Sequence, residues 1–211
     1  MDASDPGLGV GIGLTGLTAG GSILVERNRI NGGGSTADAL AGIALAPFAT
    51  IPTTSGAPGA IVRRNTILNF SDQNVTSTPF PPLRGTGIAF DTSAGIQILA
   101  NLIKDNADGV AADPLTANSS AGPPLPRVND NNITCTNVAS CVAAGFQGVV
   151  LNPGAYNLNA ENNWWGASSG PSGGGGTCPG SGLPVVPACG TGAGQVDVTP
   201  FRSSQNPNAG A

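Results

Sequence analysis

The chain has 211 residues, enough for one domain with a substantial core. Eight basic and twelve acidic residues give a net charge of −4, charged residues are only 9% of the total, and histidine is absent. That balance argues against nucleic acid as a partner and removes histidine-based catalysis. No stretch is long and apolar enough to cross a bilayer, since Ala39 to Ala49 is interrupted by Gly42 and Pro47.

Along the chain, two patterns alternate. The first is Gly-apolar-x-apolar: Gly11-Ile12-x-Leu14, Gly42-Ile43-x-Leu45, Gly87-Ile88-x-Phe90, Gly109-Val110-x-Ala112 and Gly148-Val149-x-Leu151. Apolar residues two apart share one face of a strand. The second pattern is built on asparagine: Ile23-x-Val25-x-x-Asn28-x-Ile30, Ala60-x-Val62-x-x-Asn65-x-Ile67, Ile96-x-Ile98-x-x-Asn101-x-Ile103, Pro126-x-Val128-x-x-Asn131-x-Ile133 and Leu158-x-Ala160-x-x-Asn163-x-Trp165. Its three-residue step breaks the alternation, so the chain must bend there. Asparagine tolerates left-handed backbone, and its amide can bond to an asparagine stacked above it. The bend is therefore expected between Val25 and Asn28 and at the equivalent steps, with asparagine as the residue that takes its left-handed backbone.

The asparagines lie 37, 36, 30 and 32 residues apart. Strands recurring at such a period without helical periodicity predict an all-β solenoid, a single-stranded parallel β-helix of about five coils. Five coils rise only roughly 25 Å at one strand spacing each. A propeller would need a steadier period and four strands per repeat. The division expected is an extended segment at 1–9, coils at 10–165, a Gly/Pro/Cys-rich cap with a closing strand at 166–201, and a tail at 202–211. Loops are expected to bulge at Ala46 to Gly59 and Ser71 to Gly85. Gly173 to Gly176 and Ser203 to Ala211 are expected to be mobile.

Four cysteines form two close pairs, Cys135 with Cys141 and Cys178 with Cys189. Three connectivities are open, and proximity favours the two local bridges. Disulfides imply an extracellular or cell-surface location. Met1 to Asp5 has no signal-peptide character, which fits a mature segment or a piece of a longer secreted chain.

These columns resemble the right-handed parallel β-helix repeat of the pectate-lyase-like superfamily and of many secreted bacterial proteins. The run Asn162-Asn163-Trp164-Trp165-Gly166, then Ser169-Gly170-Pro171-Ser172, then Val196-Asp197-Val198-Thr199-Pro200-Phe201 resembles the closing coil of such proteins. The resemblance spans about residues 10 to 201. It implies a fold more than a function, because that scaffold carries lyases, hydrolases, adhesins and inert stalks alike.

Each candidate site competes with a plainer reading. Asp105, Asp108 and Asp113, with Asn106, have the oxygen density for Ca²⁺, as in β-helix lyases that use calcium; the spacing fits a polar turn better than a regular calcium loop. Asp91 and Asp113 follow equivalent strands on neighbouring coils and are the pair expected to act if the protein cleaves glycosidic bonds. Against this, the β-helix galacturonide hydrolases carry an adjacent Asp-Asp, a histidine and an Arg-x-Lys, all missing here. Trp165 falls in the inward column of Ile30, Ile67, Ile103 and Ile133, and Trp164 in the outward column of Arg29, Thr66, Leu102 and Asn132. Both read as cap residues rather than a sugar platform. Arg27/Arg29 and Arg63/Arg64 are expected side by side on adjacent coils, flanking the asparagine corner.

The expectation for function is a secreted, non-enzymatic structural module with no cofactor. Its partners would be copies of itself, added head to tail into a filament or surface layer through an uncovered first coil. The alternative is a β-helix protein that binds or cleaves a polysaccharide.

Overall fold

The described residues of the computed structural model are 9–14, 23–34, 39–45, 59–71, 85–90, 95–112, 125–152, 156–173 and 178–210. The strands, numbered along the chain, fall into three sheets. The first sheet orders β1 (Gly9–Leu14), β4 (Ala39–Leu45), β7 (Thr86–Phe90), β10 (Asp108–Ala112), β13 (Gln147–Leu151), β16 (Gly182–Val186) and β15 (Pro171–Gly173). The second orders β17 (Val196–Asp197), β14 (Leu158–Asn159), β11 (Arg127–Asn129), β8 (Ile96–Leu99), β5 (Ala60–Arg63) and β2 (Ile23–Glu26). The third holds β12 (Asn132–Thr134), β9 (Leu102–Lys104), β6 (Thr66–Leu68) and β3 (Arg29–Asn31).

Every pairing between these strands is parallel. From β1 to β12 the chain visits the first, second and third sheets in turn and returns one strand further along, so each of these circuits lengthens every sheet. The molecule is thus predominantly β with parallel sheets, an arrangement compatible with a parallel β-solenoid.

Inward side chains of all three sheets meet in one apolar cluster, with Ile43, Val62, Ile67, Ile88 and Trp165 at its centre. The glycine column exists because of how each circuit closes. A Cβ on Gly42 would stand 2.5 Å from Ile67 Cγ2 and 2.7 Å from the Gly87 carbonyl oxygen. On Gly109 it would stand 2.7 Å from Ile133 Cγ2 and 2.5 Å from the Gly148 oxygen. The isoleucine of the third sheet therefore rests on the glycine that opens the same circuit. In the fifth circuit the Trp165 ring takes that place, 3.0 Å from a Cβ on Gly148.

The corner differs from the sequence expectation. The left-handed residue is the one before each asparagine: Arg27, Arg64, Ala100, Asp130 and Asn162 have φ of 57, 55, 52, 60 and 58°. The reversal is complete one residue early, which frees the asparagine to satisfy backbone groups that the corner removes from the sheet ladders. Asn65 Oδ1 accepts from both the backbone N–H and the side-chain amide of Asn28, at 2.9 and 3.0 Å. Asn101 does the same for Asn65 at 2.9 and 3.0 Å, and Asn131 for Asn101 at 2.9 and 2.9 Å. Asn163 receives Asn131 at 2.8 and 3.0 Å. The second amide hydrogens of Asn65, Asn101 and Asn131 reach the carbonyls of Val25, Val62 and Ile98, each at 2.9 Å. One acceptor and two donors are used at each buried rung, a combination that neither aspartate nor serine offers.

The ladder ends on an aromatic residue. The Arg202 N–H donates to the Asn163 carbonyl at 3.0 Å, as that of Trp164 does to Asn131 and that of Asn132 to Asn101. Val196-x-Val198-x-x-Phe201 therefore repeats the spacing of a sixth asparagine segment, with Phe201 in the asparagine's place. The outer side of β17 is covered by Ala188 to Gly190, through Val196 N–H to the Ala188 carbonyl at 2.9 Å and Gly190 N–H to the Val196 carbonyl at 3.0 Å. The disulfide Cys178–Cys189 pins this covering segment. The second disulfide, Cys135–Cys141, closes a loop holding helix α1 (Val138–Ala143), a short element that the strand patterns do not announce.

The tail also departs from expectation. Residues 203–210 run back across the outer face of the third sheet instead of hanging free. Asn206 pairs with Asn132 in both directions, backbone N–H to Oδ1 at 2.7 Å and Nδ2 to the Asn206 carbonyl at 2.9 Å. The Gly210 N–H reaches the Ala100 carbonyl at 3.0 Å, two circuits back from Asn163. Segment 1–8, most of the two expected bulging loops, residues 174–176 and Ala211 lie outside the described residues.

Candidate functional site

The densest charge in the described part of the molecule sits at the corner of the first two circuits. Four of the eight basic residues, Arg27, Arg29, Arg63 and Arg64, lie there with one acid, Glu26. The register explains the grouping. Glu26 is the sheet partner of Arg63, the Arg27 N–H donates to the Arg63 carbonyl, and Arg29 is the partner of Thr66. Arg27 and Arg64 thus occupy the same left-handed position on adjacent circuits.

Glu26 meets Arg63 at 3.0 Å and Arg64 at 3.8 Å. The hydrogen bond from Arg63 holds the Glu26 carboxyl below its ordinary value against an opposing effect of burial, and the charges of Arg63, Arg27 and Arg64 add to it. The arginine side chains are 42% and 47% exposed, so these pairs add little to stability. Among the described residues the guanidinium groups of Arg27 and Arg29 have neither a hydrogen-bond nor an ion-pair partner. Beside them, at the outer edge of the first circuit, Gly11, Ile12, Asn28, Arg29 and Ile30 line a cleft of about 250 Å³.

Of the acids singled out from the sequence, Asp105 and Asp108 are among the described residues. Asp105 stands at a second corner with φ 57°, its two oxygens taken by the N–H and hydroxyl of Thr136 at 2.6 and 2.8 Å, with Lys104 3.8 Å away. Cys135 and Cys141 lie near it but are bonded to each other. Asp108 is buried at the start of β10. Asp113 lies outside the described residues. Asn106, proposed as their helper, instead receives the Phe70 N–H at 2.9 Å and donates to the Ile67 carbonyl at 3.3 Å. Asp91 also lies outside the described residues; the residues preceding Asp91 and Asp113, Phe90 and Ala112, are register partners.

Trp165 is fully buried in the core, and Trp164 is half-buried and bridged to Asn132 in the outward column. Their indole nitrogens have no hydrogen-bond partner.

No known family, curated protein or solved structure matches this chain. The all-parallel three-sheet arrangement is compatible with a parallel β-helix. Three features escaped the sequence columns. Phe201 carries the spacing signal without the asparagine. The left-handed backbone was assigned to the asparagine, so Arg27 and Arg64 were read as flanking the corner rather than as occupying its left-handed position. Asn206 has no sequence signal, because its partner Asn132 was read only as an outward residue.

Proposed function

We propose that the three sheets are faces of one right-handed parallel β-helix, and that the protein is a secreted, non-enzymatic structural module that associates with copies of itself. The handedness follows the general rule for crossovers between parallel strands. The observation that carries the reading is the contrast between the two ends. β1, β2 and β3 are the terminal strands of their sheets and all lie in the first circuit. Asn28 Oδ1, the one rung of the ladder with nothing donating to it among the described residues, is on that same edge. Unpaired edges of this kind recruit strands from other chains.

At the other end the asparagine ladder and the second sheet are closed off, while β15 remains the terminal strand of the first sheet. Phe201 stops the ladder, Ala188 to Gly190 cover β17, and the tail is bound to its own third sheet. Copies joined through first circuits alone form closed pairs, whereas the head-to-tail filament expected from the sequence needs an open strand edge at both ends. Arg27 and Arg29 bring like charges to this contact, so added salt should strengthen it.

Sedimentation velocity over a concentration series tests the reading. The wild type should shift from monomer to dimer. Gly13→Lys places a lysine on the edge strand at an exposed position where a Cβ meets only Val10 Cγ1 at 3.7 Å, and it should leave a folded monomer. A wild type that stays monomeric at every concentration would refute self-association.

The polysaccharide reading keeps one supporting observation, the register pairing of the strands that precede Asp91 and Asp113. It is tested by release of new reducing ends or unsaturated products from acidic glycans, lost in Asp91→Asn and Asp113→Asn.

A further inference from the structure

We propose that Arg27, Arg29 and Arg64 form a binding site for a sulfated glycan chain, on the corner of the first two circuits. The inference does not rest on the dimer reading, although Arg29 and its cleft lie at the same first-circuit edge. It starts from a misfit between residue and backbone. Left-handed φ is disfavoured for side chains with a Cβ and is best tolerated by Gly, Asn and Asp. The fourth and fifth circuits follow that preference with Asp130 and Asn162, while the first and second carry Arg27 and Arg64. Two adjacent circuits thus hold a long cation where the backbone favours a short polar residue. Strain retained at a position with no packing role is a mark of function.

The chemistry around these residues selects the ligand. Glu26 is engaged by Arg63, its closest partner at 3.0 Å, which leaves the guanidinium groups of Arg27 and Arg29 without a direct ion-pair partner among the described residues and Arg64 held only at 3.8 Å. Guanidinium groups bind oxyanions through paired N–H donors and are suited to sulfate oxygens. Neighbouring circuits are about 4.8 Å apart, so Arg27 and Arg64 present two forks at a spacing that suits anionic groups on successive units of a narrow chain. Arg29 extends the row to the cleft at the rim, where the Asn28 amide oxygen is free to accept from a sugar hydroxyl. The footprint is small and the chain as a whole carries −4. A broad polyanion such as duplex nucleic acid would meet net repulsion beyond the corner.

Fluorescence anisotropy with a labelled dextran sulfate oligosaccharide tests this, with neutral dextran and single-stranded DNA of similar charge as comparisons. Dextran sulfate should bind, with affinity falling as salt rises. Arg27→Asn and Arg64→Asn should each weaken binding about tenfold, the loss of one charge-assisted contact, and Arg29→Gln should do likewise. Because asparagine suits the left-handed backbone, the first two variants should keep or raise Tm, which separates lost binding from lost folding. Arg127→Gln, exposed and away from the corner, should change nothing. Unchanged affinity in the Arg27→Asn, Arg64→Asn double variant would overturn the site. So would equal loss in Arg127→Gln, or no preference over neutral dextran. Equally tight DNA binding with the same variant profile would overturn the glycan assignment.

Discussion

Asn101 makes four hydrogen bonds through one fully buried amide, accepting two from Asn65 and donating one each to Val62 and Asn131. Asn101→Ala leaves the Asn65 N–H and the Val62 carbonyl unpaired in the interior and should lower stability by about 3 kcal/mol in urea unfolding. Asn28 sits half-buried at the ladder's end and accepts nothing among the described residues, so Asn28→Ala should cost about 1 kcal/mol by the same measurement. Equal losses at the two positions would show that the rungs do not act through burial. At the same corner, the lowered Glu26 pKa, due first to the Arg63 hydrogen bond, fixes a sign. Its contribution to stability is present above the ordinary value of 4.5 and is lost as pH falls through the lowered folded value. Glu26→Gln should therefore flatten the decline of Tm below about pH 4.5 and leave the shape of the neutral range unchanged.

Among the strands, glycine acts as a socket rather than as a hinge. A Cβ on Gly87 would lie 2.6 Å from the Gly109 oxygen and 2.7 Å from Ile103 Cγ2. Gly87→Ala must push the third sheet away and should destabilise by about 1–3 kcal/mol, seen as a lower urea midpoint. Gly13→Ala, with room for its methyl, should be neutral or slightly stabilising. Both columns were legible in the sequence because strands of successive circuits repeat the same environment, so Gly42, Gly87 and Gly109 or Ile67, Ile103 and Ile133 recur at matched places. The contact between the columns was not legible, since it spans the core between positions about 20 residues apart. The corner was read one residue off for a related reason: asparagine is both a left-handed residue and a ladder residue, and spacing alone does not separate the two roles. The spacing did place Arg27/Arg29 beside Arg63/Arg64 at the corner, but not that Arg27 and Arg64 share its left-handed position.

At the scale of the whole molecule, the two ends of the stack differ: the ladder and the second sheet are closed off at one, and no described segment pairs with β1, β2 and β3 on the outer side of the other. The cap, the Cys178–Cys189 disulfide and the returning tail all act at or from the C-terminal end. A chain ending at Arg202 loses the three Asn206 hydrogen bonds and the Gly210 contact, and should be about 2–4 kcal/mol less stable while remaining folded. Hydrogen exchange should then quicken in the third sheet before the first. The most direct test of the account is electron microscopy of the non-reduced protein across a concentration series. A seven-stranded sheet is roughly 30 Å along the stacking axis, so joining two first circuits should give discrete particles about twice that length at high concentration. Single particles at every concentration would contradict the open first circuit as an interface, and unbranched filaments would contradict the capped end.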